Sequence, residues 1–128
     1  MAGHAAWSAV LFFLAVSAGL PPGRPAAAQD DFRQLDAKQI RSRLVGHDLT
    51  DASHWSMYLR PDGTLIGTES NTRWSGTWKL QQNKLCMSTP GNSSLDCYEV
   101  WMASTKVSLR MNDGAEAFVA FIERHKGN

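Results

Sequence analysis

Cys86 and Cys97 are the most chemically pointed residues of the chain. A redox pair usually holds its cysteines two residues apart, and a structural zinc site needs four ligands at its own spacing. The wider gap here fits neither pattern and points to a structural disulfide. His47 and His54 flank Asp48 and Asp51, and such imidazoles and carboxylates suit zinc, copper or nickel. Their spacing matches no metal-site pattern, and His47 is expected in the loop after a helix. No metal site is therefore expected. Serines are numerous, but the chain holds no G-x-S-x-G elbow and no triad signature. Glu69, Glu99, Glu116 and Glu123 offer carboxylates for glycoside chemistry, and nothing in their spacing selects a pair. The expectation is a protein that is not an enzyme, with no catalytic residue and no cofactor.

The aromatic residues are more suggestive. Trp55, Tyr58, Trp74, Trp78, Tyr98 and Trp101 are dense for so short a chain. On the inner wall of a β-barrel such side chains line an apolar cavity or fill the core. Trp55, Met57, Trp74, Trp78 and Trp101 are the candidates for that role. Tyr58 and Tyr98 are the candidates for an outward contact patch.

These residues need elements to hold them. The chain opens on an apolar run from Ala5 to Leu20, then Pro21-Pro22-Gly23, then the small residues Ala26-Ala27-Ala28. That order reads as a signal peptide over residues 1–28, although its first residues hold no Lys or Arg. The apolar run is short for a membrane span. No membrane insertion is expected after cleavage, and the location is expected to be periplasmic or secreted. Cleavage after Ala28 removes Arg24 alone among charged residues, leaving 12 basic against 12 acidic. A neutral domain has no electrostatic footprint for nucleic acid.

Residues 29–128 read as a single domain. Asp30 to Val45 reads as one amphipathic helix, regular over about 36–45. Asp36 is a good N-cap with Gln39 placed for a capping box, and Gly46 supplies the left-handed stop. Phe32, Leu35, Ile40 and Leu44 share its apolar face, while Arg41 and Arg43 belong to a solvated one. From His54 the period changes to two, and strands fill about 54–123. Trp55, Met57 and Leu59 alternate with polar partners, and Pro61-Asp62-Gly63 turns the chain. Thr64 to Ser70 follows, with Gly67 a point of close approach, and Asn71-Thr72 turns again. Trp74, Gly76, Trp78 and Leu80 share one face, with Gly76 leaving room for a large neighbour. Lys84 to Ser88, Asp96 to Met102, Lys106 to Met111 and Ala117 to Ile122 complete the strands, and Arg124 to Asn128 reads as a polar tail holding His125. The expected fold is mainly β, an antiparallel up-and-down meander of about seven strands curled into a small barrel behind one N-terminal helix. If Pro90 to Ser94 forms a hairpin tip, Cys86 falls opposite Cys97, Leu85 near Tyr98 and Met87 near Asp96.

The run Leu44-x-Gly46, Trp55-x-x-Tyr58, Asp62-Gly63, Gly76-x-Trp78, Leu85-Cys86 and Cys97-Tyr98-x-Val100 resembles the small exported proteobacterial domains of unknown function that are described as lipocalin-like or calycin-like. The resemblance implies a barrel and carries over no catalytic residue. Gly-x-Trp is also similar to true lipocalins, where it belongs to the first strand, whereas here it falls in about the third. The function expected is binding of a small apolar ligand or an envelope component. The rival is a protein-interaction module such as a periplasmic enzyme inhibitor.

Overall fold

In the computed structural model of the protein, the described residues are 31–92 and 94–127, together with Gly3 and Gly19. The expected signal segment, Gly3 and Gly19 apart, lies outside them. The elements are β1 (Arg33–Gln34), α1 (Ala37–Leu44), β2 (His47–Thr50), β3 (Trp55–Leu59), β4 (Thr64–Glu69), β5 (Thr72–Gln81), β6 (Lys84–Ser88), β7 (Asp96–Ala103), β8 (Lys106–Arg110) and β9 (Glu116–Arg124). Each strand from β2 to β9 pairs antiparallel with the next, and β2 also pairs with β9. The result is a closed eight-stranded meander with no free sheet edge along most of its wall. One edge of β7 is shared: Asp96 to Tyr98 face β6, and Trp101 and Met102 face β1. The short β1 thus covers donors and acceptors that β6 is too short to reach.

The turns explain why neighbours pair. Ser70-Asn71 and Gln82-Asn83 each join two strands with both residues at positive φ, 47° and 66° in one case and 50° and 59° in the other. Such two-residue turns twist with the strands they join. Gly63, at φ +89°, ends the β3–β4 turn, where Asp62 Oδ1 accepts from the Thr64 amide. In an up-and-down barrel alternate connections share an end. The 61–63, 82–83 and 104–105 turns therefore lie at one end, and the 51–54, 70–71, 89–95 and 111–115 connections at the other.

The helix lies at the first of these ends. Asp36 Oδ1 accepts from the Gln39 amide, and Gln39 Oε1 accepts from the Asp36 amide, which completes the capping box. The next orphan donor, the Ala37 amide, is taken by Asn83 Oδ1 on the β5–β6 turn. Gly46 stops the helix at φ +82° and donates to the Leu59 carbonyl. Ile40 and Leu44 are then fully buried against the barrel core. That core holds Leu49, Leu59, Leu65, Leu85, Val100, Val107, Leu109 and Ala120, all without exposure. Trp78 seals the same end, its Nε1 donating to the Arg60 carbonyl at 2.8 Å.

Cys86 pairs directly with Cys97, Leu85 with Tyr98 and Met87 with Asp96, and the two cysteines are bonded as a disulfide. This is the hairpin that the spacing predicts. The bond faces outward, since the alternate residues Leu85 and Met87 belong to the core.

Four expectations are corrected. The barrel has eight strands rather than about seven, because His47 to Thr50 is a strand and not a loop. Its four residues include two polar ones and offer too short a stretch for alternation to show. The helix begins only at Ala37. Phe32 and Leu35 precede it, and the Leu35 amide donates to the Val100 carbonyl as part of the chain's passage along β7. The turn placed at Asn71-Thr72 is Ser70-Asn71. The polar tail is not free: β9 runs to Arg124, His125 Nδ1 lies 2.9 Å from Asp48 Oδ1, and the His125 ring stacks on Tyr58 at 3.5 Å.

Gly76 leaves room for backbone rather than for a large side chain. A Cβ there would collide with the Ser88 carbonyl oxygen. Gly76→Ala is expected to cost about 1–3 kcal/mol, because the obstacle cannot rotate away; urea melts of the two proteins measure it. Replacing both cysteines by serine is expected to cost about 2–3 kcal/mol by the loop-entropy argument. Equal unfolding midpoints for the oxidised wild type and this double variant would refute the staple.

Candidate functional site

Among the described residues, the end opposite the helix has no comparable plug. Its inward register runs Trp55 on β3, Gly67 and Glu69 on β4, Trp74 on β5, Asp96 and Tyr98 on β7, and Phe118 on β9. Trp55 stands directly opposite Glu69, and Gly67 directly opposite Trp74. A Cβ on Gly67 would fall within the Trp74 indole, so the indole lies flat over the glycine backbone. This is the close approach that Gly67 predicts, and it holds Trp74 across the mouth.

Phe118 links the aromatic set. Its ring meets Trp55 and Tyr98 edge-on, each at 5.7 Å between centroids. Such T-shaped pairs set the positive edge of one ring against the negative face of another. Burial, and after it the charge of Asp96, push the Tyr98 hydroxyl above its ordinary pKa. Below these rings the barrel is filled by the fully buried aliphatic core. Above Met57 a recess of about 230 Å³ remains, lined by Trp55, Ser56, Met57, Glu69, Trp74 and Phe118. The rings are half-buried, so they present aromatic faces to whatever enters.

The rim beside Trp55 is ordered by one carboxylate. Asp51 Oδ1 accepts from the amides of Ser53, His54 and Trp55 at 3.0, 2.7 and 3.0 Å, and its other oxygen meets His54 Nδ1 at 3.0 Å. Thr50 Oγ1 donates to the Trp55 carbonyl. The β2–β3 loop is thereby fixed where Trp55 enters the mouth.

The sequence candidates separate. Trp55, Met57 and Trp74 line the recess, and Trp78 sits in the core at the far end. Trp101 faces outward, between the inward residues Val100 and Met102. Its indole lies 4.3 Å below the Arg110 guanidinium, and Nε1 donates to Glu99 Oε2. Tyr58 is outward, as expected, whereas Tyr98 is inward, because it shares the register of Leu85 and Val100. The histidines do not converge: His47 Nδ1 lies against the Val45 carbonyl, His54 against Asp51, and His125 against Asp48. The carboxylates do not converge either. Glu116 accepts from Ser108 Oγ on the outer wall, and Glu123 pairs across from Asp48.

Two recess residues escape sequence reasoning. Phe118 sits in a strand that is apolar on both faces, with Ala120 and Ile122 inward beside it and Val119 and Phe121 outward, so no polar alternation marks its face. Glu69 reads as a generic acid until its partner Trp55 is known. Comparison with protein-family models, curated proteins and solved structures finds no match to this chain.

Asp51 gives a pH test of the rim. The Trp55 amide first, and the His54 and Ser53 amides after it, hold the Asp51 carboxyl well below its ordinary value of 3.8. A depressed folded value means that the stabilisation is complete above that ordinary value and is lost as pH falls below it. The amide resonances of Ser53, His54 and Trp55 should therefore move together on acidification, at a midpoint below 3.8. In Asp51→Asn that shared transition should vanish.

Proposed function

We propose that this chain is an exported, non-enzymatic binding protein that takes a small apolar group into the aromatic recess at the open end of its barrel. The observation that carries this reading is the recess itself: about 230 Å³ of concave space between Trp55, Trp74 and Phe118 over Met57. A packed interior lies beneath it, so the part of a ligand that enters is one ring or a short branched chain rather than a long lipid, and the rest stays at the open mouth. Typical drug-sized sites run from about 300 to 1,000 Å³, which places this one just below their range. The disulfide supports the extracytoplasmic part of the reading, since such bonds persist in oxidising compartments.

A second reading has its own support. Leu95 and Met111 are exposed large apolar residues on the two longest connections at the same end. A protein-interaction module, such as an inhibitor of an envelope enzyme, would seat its partner on that rim.

A neutral apolar fluorophore, N-phenyl-1-naphthylamine, separates the two. The first reading expects saturable one-to-one binding with quenching of tryptophan emission, and about tenfold weaker binding in Trp55→Ser. Absence of saturable binding to the oxidised protein would remove the first reading and leave the second.

A further inference from the structure

The charges at the open end carry the reading further. Among the described residues, the inward strand register holds two charged positions at this end, Glu69 and Asp96, and both are acidic. The cation in that register, Arg124, stands opposite His47 at the helix-plugged end. Arg73 and Arg110, the basic residues of the neighbouring strands, point outward opposite Thr68 and Glu99. Asp96 is engaged by Asn92 Nδ2 at 2.9 Å. The Glu69 carboxylate has no hydrogen bond or ion pair among the described residues, although it lines the recess and stands directly across from Trp55. Its partner on β5 is Thr72, and the indole of Trp74, seated over Gly67, lines the same recess.

An aromatic face carries negative charge density at its centre, and Trp is the strongest of the side chains in this respect. Two indoles and a phenyl ring beside an unpaired carboxylate form a site complementary to a soft, weakly hydrated cation. A bare alkyl group would use the rings but leave Glu69 unused. An anionic ligand would meet Glu69 and Asp96 with the wrong sign.

We infer that the recess selects a small organic cation, an alkyl- or trimethylammonium group on a short apolar body, held between the Trp55 and Trp74 rings with Glu69 as its counter-ion. This rests on the binding reading above and narrows it to a ligand class. Met57 and Phe118 meet the apolar body, while the polar rim leaves the far end of the ligand in water.

Choline and its uncharged isostere 3,3-dimethylbutan-1-ol test this, because they share shape and differ in charge. Titrations of the oxidised full chain are followed by calorimetry and tryptophan fluorescence at low ionic strength. Choline is expected to bind about tenfold more tightly than the alcohol. That ratio should fall about threefold in Glu69→Gln and shrink as salt is raised, since an exposed carboxylate is screened. Glu69 is exposed and its carboxylate is unbonded, so the substitution should leave the melting curve in place. Equal affinities for the two probes, or a ratio indifferent to Glu69→Gln and to salt, overturn the inference while the apolar binding reading stands. Binding of N-phenyl-1-naphthylamine with no binding of either small probe overturns it in the same way. Failure of all three ligands removes both.

Discussion

Closure of the sheet is the constraint on which the molecule depends. Eight short strands of mixed polarity would expose two long edges if left open, and each edge would be a template for pairing with another chain. The β2–β9 ladder, which joins the first strand of the meander to the last, removes both. Closure at eight strands leaves an interior just wide enough for side chains to fill. The price is local irregularity. β6 meets β7 over only three residue pairs, β1 takes up part of the same edge, and β9 bulges beside Arg110. The disulfide lies at that short ladder, on the outer face of its central pair. A covalent link there reinforces a part of the wall that few paired residues hold.

Closure also sets the division between the ends. The chain enters β2 from the helix, so the helix must pack where β2 begins. Its capping box, the Asn83 bond to Ala37 and the Gly46 stop fix it there. Ile40, Leu44 and Trp78 then complete a fully buried layer at that end. Among the described residues, the opposite end receives only connections. Ser70-Asn71 is too short to fold over the mouth, and the β2–β3 loop is drawn into its own hydrogen bonds by Asp51. The rings at that end consequently remain half-covered.

How much of this could be read in the sequence follows from the same physics. Strands with strict alternation and turns with Gly or Asn were legible, as were the capping box and the cross-strand partner of Cys86. The cysteine register followed because a hairpin tip fixes every pair behind it. Less legible were elements whose signal is tertiary. His47–Thr50 becomes a strand because β3 and β9 flank it, and its four residues show no period of their own. Tyr98 faces inward because of its partner Leu85, although its hydroxyl suggests an exposed position. His125 is held by Asp48 and Tyr58, which lie far away in sequence. The recess needs Trp55, Trp74, Glu69 and Phe118 from four strands, and no local spacing relates them.

The mouth bears on whether its composition serves stability alone. Closing a barrel end with buried side chains is feasible for this chain, since Ile40, Leu44 and Trp78 do so at the helix end. Leaving large rings half-exposed forgoes part of their burial energy, at about 25 cal/mol for each Å² left wet. Trp74 is even given its place by a glycine, which weakens a strand. A carboxylate in the inward register adds a charge that a purely structural end would exclude. Each of these choices lowers stability slightly, and all three converge on the same recess. Side chains selected only to cover the core would have no reason to leave rings half-covered at one end and bury them at the other. The departure is accounted for when the rings and the carboxylate have a partner from outside the chain, with aromatic faces and negative charge defining what that partner must offer.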